Sequence, residues 1–260
     1  MNKKLSAKVQ QINTQDIEAG NSYSSCIVIE PEDKETLLKK GAIYGVFSLA
    51  TMEHFDINLV KKIINDVIYE SYFHSDSVSP IQSLEKSILD VKEKITNLVV
   101  NGQDQNVDFN ILCGALWGNV LYVVIFGECG AYLVRKGEIR SINTVSEGNF
   151  SAASGMINDN DVVIFGTKTF SQKYPPDKLL SMEISEQMLS SDESGLLLKF
   201  IIDTSFTKDE IVDFGIENIP QRIYQHQKTV SNSNPRGQWN RPCLQARNRQ
   251  CPDGAGTAQN

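Results

Sequence analysis

The chain has 260 residues, of which 40% are hydrophobic and 22% charged, and a formal net charge of −7. That profile suits an ordinary globular protein of one large domain or two small ones. The acidic balance argues against a general nucleic-acid binder, which would present a basic stripe.

The first sixteen residues, MNKKLSAKVQQINTQD, carry lysines but no apolar core, so they do not read as a secretory signal, and a cytoplasmic location is expected. Cys26-Ile-Val-Ile-Glu30 reads as a strand and Pro31 to Lys40 as a turn. Gly41 to Phe47, apolar throughout, reads as a central strand. Val60, Ile63, Ile64, Val67, Ile68 and Tyr72 then recur at helical spacing and predict a helix from about Phe55 to Tyr72. Ser79-Pro80 opens a second helix, with proline tolerated in its first turn. Its stripe of Ile81, Leu84, Ile88, Val91, Ile95 and Leu98 fits either a coiled-coil seam or a helix laid on a sheet, and the short run favours the sheet. Gly102 ends that helix in a polar loop.

Val107–Trp117 and Val120–Phe126 read as strands joined by a Gly118-Asn119 turn. Ala131–Val134 and Glu138–Ile142 form a second hairpin through Arg135-Lys136-Gly137. Between Asp108 and Arg135 the only charge is Glu128, and Gly114 to Gly118 spells GxxxG, so a membrane span competes for this stretch. A spanning helix needs roughly 20 unbroken apolar residues. The interruption at Gly118-Asn119 and the β-branched and aromatic content favour paired buried strands instead. Asp159-Asn-Asp161 precedes a strand at Val162–Phe165, a helix runs from Pro175-Pro176 to about Ser190, and Gly195–Ile202 is the last clear strand.

Cys26, Cys113 and Cys129 lie in apolar stretches and read as small buried hydrophobes. Cys243 and Cys251 have no CxxC partner or nearby histidine, so zinc is not expected. Residues 1–226 are read as the domain. From Gln227 the sequence is rich in Pro, Gly, Asn, Gln and Arg without an apolar period, and five basic residues face one acid. Residues 227–260 therefore read as a disordered polar tail, foreign to the domain or marking it as the cytosolic piece of a longer protein.

Several of these segments, in order, resemble the metal-dependent PPM (type 2C) protein phosphatases. Gly118 to Ile139 is similar to the family stretch GNxLYVANVGDSRAYLxRxGxI in length, turn placement, the Ala-Tyr-Leu strand and the closing basic-Gly turn. Ser154-Gly155 followed by Asp159–Phe165 resembles the approach to the family's SDG motif. Gly41–Phe47 resembles the strand that leads into GVFDGMGGH. The resemblance covers about Gly41 to Phe200 and implies an α+β fold, an α/β/β/α sandwich of two antiparallel sheets flanked by helices.

The chemistry implied by the family does not carry over residue by residue. Family members hydrolyse phosphate monoesters with two Mg²⁺ or Mn²⁺ ions, hard cations that require carboxylate oxygens. Where the family has the bridging acid of DG, this chain has Ser48-Leu49. Where it has the acid of SDG, Thr167-Lys168-Thr169 places an ammonium. The early NED motif falls near Asn21-Ser-Tyr23 and lacks its acids, and Glu128 alone survives from GDSR. Asp192 stands at the last family position and is the one possible retained ligand; with Glu128 it reads otherwise as a plain loop acid. Lys168 reads as an exposed strand-end lysine, or as a point charge for a phosphate or acidic partner. His54, His74 and His226 read as solvated loop residues, and no GxxxxGK[ST] phosphate loop is present.

No cofactor is expected on this reading, and the expected role is a catalytically degenerate, pseudophosphatase-like domain that binds a protein or small-ligand partner in the remodelled cleft. The alternative is a divergent Mg²⁺- or Mn²⁺-dependent serine/threonine phosphoprotein phosphatase with displaced ligands, drawn from Asp159, Asp161 and Glu128.

Overall fold

A computed structural model describes residues 5–14, 19–99, 107–142, 145–147, 149–179 and 189–202. Eleven strands fall into two antiparallel sheets. The first comprises β1 (Leu5–Ile12), β11 (Gly195–Ile202), β10 (Val162–Thr167), β6 (Cys129–Arg135) and β7 (Glu138–Ser141), in that spatial order. The second comprises β2 (Ala19–Ile29), β3 (Ala42–Asp56), β4 (Asp108–Trp117), β5 (Val120–Phe126), β9 (Phe150–Met156) and β8 (Val145–Glu147).

The alternation of side chains along the strands sorts the apolar residues into layers. Tyr44 and Val46 of β3, Leu112 of β4, Val163 and Phe165 of β10 and Leu196, Leu198 and Phe200 of β11 fill the space between the sheets. The other face of the second sheet, through Ile43, Phe47 and Ile111, meets two helices, α2 (Ile57–Phe73) and α3 (Pro80–Val99). Their predicted stripes are the buried faces: Val60, Ile64, Val67 and Ile68 on α2, and Leu84, Ile88, Val91 and Ile95 on α3. Each such residue contributes about 1.5–3 kcal/mol through burial, so the stripe on α3 is satisfied by the sheet and α2, with no coiled coil needed. On the outer face of the first sheet, α4 (Lys168–Lys173) and α5 (Pro176–Leu179) cover Ile164 and Val134 with Phe170, Tyr174 and Leu179. The architecture is the expected α/β/β/α sandwich.

Several local expectations are corrected. The N-terminal segment is a full edge strand, β1, paired from Leu5↔Ile202 to Ile12↔Gly195; its Leu5, Ala7 and Val9 alternate inward against the inter-sheet core. Pro31–Lys40 is not simply a turn. Asp33 caps a helix, α1 (Lys34–Lys40), by accepting from Thr36 N at 2.8 Å. β3 does not stop at Phe47 but runs on to Asp56, because β2 and β4 pair with its continuation. The α2 helix then starts at Ile57, capped by Asp56. Lys168 opens a short helix and does not end a strand. β8 and β9, which extend the second sheet beyond β5, had no separate signal in the sequence reading.

The stretch weighed as a membrane span is the hairpin β4–β5 followed by β6, and no helix among the described residues is long and apolar enough to cross a membrane. Of the helix expected from Pro175 to Ser190 only α5 is described, and residues 180–188 lie outside the described residues. So do the loop at Gly102, His226 and the whole expected tail from Gln227.

Candidate functional site

Five segments converge at one end of the inter-sheet cleft. Ser48 on β3 pairs in register with Ser24 on β2 and with Asn110 on β4. The β5–β6 turn, Gly127-Glu128, carries the chain from one sheet to the other. Thr167, at the end of β10, lies opposite Cys129, and Gly166 lies opposite both Gly130 and Gly195.

The position of α4 depends on two of these glycines. A β-carbon on Gly166 would come within 2.8 Å of the Phe170 ring, and one on Gly195 would collide with the same ring. Their bare backbones let Phe170 lie flat on the sheet, fully buried. That packing sets the first residue of α4, Lys168, at the cleft mouth.

Strand alternation separates the two residues that stand at the DG position. Leu49 shares the helix-facing core with Phe47 and is 1% exposed. Ser48 is on the opposite face, the one turned to the other sheet, and accepts a long contact from Asn110 Nδ2 at 3.5 Å. Leu49 therefore does not fill the cleft. Tyr23, from the NED-like stretch, is likewise in the helix-facing core, with its hydroxyl buried and unpartnered. Its neighbour Ser24 faces the cleft instead.

Hydroxyl groups line the interior of this end. Ser24 Oγ lies 2.8 Å from Ser194 Oγ and donates to the Ser191 carbonyl at 3.1 Å. Thr167 Oγ1 and Thr169 Oγ1 both donate to the backbone carbonyl of Asp192, at 2.9 and 2.6 Å. Thr167 Oγ1 also accepts from Ser194 N. The Cys26 thiol donates to the Gly195 carbonyl, and burial pushes its pKa up to about 12. Sequence reasoning missed Ser24, Asn110, Thr167, Thr169 and Ser194; the signal that could have found Ser24 was its place one residue from a core tyrosine.

The charged residues sit at the mouth. Asn110 Nδ2 donates to Asp108 Oδ1 at 2.9 Å, and its Oδ1 accepts from Glu128 N at 2.9 Å. Lys168 Nζ donates to Glu128 Oε2. Asp108, Asn110, Glu128 and Lys168 thus form a chain that joins the second sheet to α4. The hydrogen bond and charge of Glu128, with a smaller contribution from Asp108, hold the Lys168 pKa above the ordinary lysine value. Both members of the pair are more than half exposed, so solvent screens it.

The acids considered as displaced ligands are not brought together. Asp161 is buried at the far end of β10, where it takes a forked ion pair from Arg135 (Nε–Oδ1 3.0 Å, Nη2–Oδ2 2.6 Å) and a hydrogen bond from Asn158 N. Asp159 is beside it, accepting from Ile202 N. The six residues of β10 put Glu128 about 20 Å away. His74 caps α2 and meets Glu70, and His54 lies far along β3 in a shallow surface pocket with Asp56 and Leu98, so neither joins the cleft.

Among the described residues no three His, Cys, Asp or Glu side chains lie close enough together to share a metal ion. At the cleft end a hard divalent cation would meet a serine hydroxyl, an amide already bonded on both sides, a carboxylate held by an ammonium, and threonines turned to a carbonyl. That donor set is a poor fit to Mg²⁺ or Mn²⁺.

By sequence, no protein-family model matches the chain and no curated protein matches it. Structure comparison does find relatives in shape. The catalytic domain of the serine/threonine protein phosphatase PstP, solved in complex with two manganese ions, matches with a TM-score of 0.54 at 11% identity, covering 76% of this chain and 99% of that one. A bacterial serine phosphatase matches with a TM-score of 0.52 at 10% identity, again over 76% of this chain and 99% of the other. The chain has the fold of the PPM-type serine/threonine phosphatases, as its strand and hairpin motifs imply.

Proposed function

We propose that this PPM-type fold acts by binding and not by turnover: a pseudophosphatase-like domain that holds a protein or small ligand in its remodelled cleft, in the cytoplasm, in a signalling role. The observation that carries the reading is Lys168. Where the resemblance puts a metal-ligating acid, an ammonium is paired with Glu128. A lysine there repels Mg²⁺ or Mn²⁺ and also removes a ligand oxygen. Ser48 supports the same reading, since a hydroxyl facing the cleft replaces the bridging carboxylate. The unpaired thiols of Cys26, Cys113 and Cys129 accord with a reducing compartment. The domain is taken as residues 1–226, with 227–260 as a tail outside it.

The second reading is a divergent Mg²⁺- or Mn²⁺-dependent serine/threonine phosphoprotein phosphatase. Its support is that Asp108, Glu128 and Asp192 all lie at the cleft end, although Asp159 and Asp161 do not. The two readings part on hydrolysis of an aryl phosphate in the presence of Mn²⁺. No turnover is expected. Mn²⁺-dependent turnover that disappears in Asp192→Ala overturns the binding reading.

A further inference from the structure

We infer that Lys168 is the cleft's resident cation: its ammonium, tethered to α4 and paired with Glu128 at the end of the Asp108–Asn110–Glu128 chain, fills the charge role of a divalent ion and closes the cleft to one. This deepens the binding reading above and rests on it. Each link of the chain comes from a different element. Asp108 and Asn110 stand at the start of β4, Glu128 in the β5–β6 turn, and Lys168 at the start of α4. Two carboxylates that face one region of a cleft repel each other unless a cation lies between or beside them. Lys168 supplies that cation from within the chain.

The placement of the ammonium is built by the fold. Phe170, locked over Gly166 and Gly195, fixes the first turn of α4 on the sheet. Thr167 and Thr169, on either side of Lys168, are both held by the carbonyl of Asp192. The backbone of Lys168 is therefore pinned on both sides, and its side chain needs only to extend to reach Glu128. Asn110, bonded to Asp108 on one side and to the Glu128 backbone on the other, holds the acids in place. A divalent ion entering here would have to displace the ammonium and lie beside a like charge.

The test uses the full chain in four forms: wild type, Lys168→Arg, which keeps the charge, Lys168→Met, which removes it, and Lys168→Met with Glu128→Gln. Each is titrated with MnCl₂, with bound Mn²⁺ read by equilibrium dialysis and the melting temperature by thermal shift. Removing one positive charge a few ångströms from a divalent ion, largely in water, is worth about tenfold in affinity. The expected result is that wild type and Lys168→Arg are unmoved by MnCl₂. Lys168→Met is expected to bind Mn²⁺ about tenfold more tightly than wild type and to lose that gain with Glu128→Gln. Lys168→Gln provides a second neutral variant should Lys168→Met not fold. Mn²⁺ binding by wild type equal to that of Lys168→Met, no gain in either neutral variant, or a gain that survives Glu128→Gln overturns the proposal. Aryl-phosphate turnover in the same series keeps the two failures apart. Turnover by wild type removes the binding reading, whereas Mn²⁺ binding without turnover removes the resident cation alone.

Discussion

Asn110 and Gly127 interlock: the Asn110 carboxamide lies in the space that a β-carbon on Gly127 would occupy. Gly127 also has a φ of 78°, in the left-handed region that disfavours any side chain. The turn that carries the chain between the sheets and the amide that holds Glu128 thus depend on each other.

Gly127→Ala is therefore expected to destabilise the fold by about 2 kcal/mol or more, from backbone strain together with displacement of Asn110. Urea unfolding checks this as a lower midpoint at unchanged slope. Because the two residues share one space, Gly127→Ala combined with Asn110→Ala is expected to cost less than the sum of the single changes.

Ser48 and Leu49 are neighbours in sequence on opposite faces of β3, and their truncations should separate sharply. Leu49→Ala opens a cavity in the helix-facing core and is expected to cost about 2–4 kcal/mol. Ser48→Ala loses only a 3.5 Å contact from Asn110 and is expected to change stability by less than about 0.5 kcal/mol. Equal costs in denaturant unfolding would contradict this placement.

At the other end of β10, Asp161 is 2% exposed and bonded to both Arg135 and the Asn158 backbone. Breaking a buried pair by removing one charge costs about 3–5 kcal/mol, and the partial exposure of Arg135 places Asp161→Asn at about 3 kcal/mol. The same substitution at Asp159, which is exposed, is expected to be nearly neutral. Thermal unfolding of the two variants side by side checks both expectations.

Burial raises the Cys26 thiol to about 12 and pushes the fully buried Cys113 thiol up as well. A raised pKa means a neutral thiol in the native state at ordinary pH, and at pH 8 about one Cys26 in 10⁴ is thiolate. Iodoacetamide at pH 8 followed by peptide mapping should leave both residues unmodified until denaturant is added. Labelling of native Cys26 at the rate of a free thiol would contradict the buried hydrogen bond to the Gly195 carbonyl.

Elements with strong local signals were legible. The stripe on α2 is a stripe because those residues alone touch the sheet, and the Gly118-Asn119 turn announces itself by the left-handed φ of Gly118. β1 was overlooked because an edge strand needs to bury only one face, and its lysine and glutamines hide the Leu5, Ala7, Val9 alternation. The far half of β3 was overlooked because its strand state comes from the partners on either side, β2 and β4, and not from its own residues.

At the site, residue identity was decided by the sequence alone: a serine and a lysine stand where the resembling family has acids, and no packing can make either a carboxylate. The sequence also determined the layered α+β sandwich, since apolar periods of two and of 3.6 report directly which face each element buries. Only the tertiary structure decided where Lys168 and Glu128 go. Its two glycines, 29 positions apart at Gly166 and Gly195, seat Phe170 and aim α4, and the interlock of Gly127 with Asn110 presents Glu128. Contacts between residues so distant in sequence leave no local period, so the ion pair appears only when the sheets are assembled.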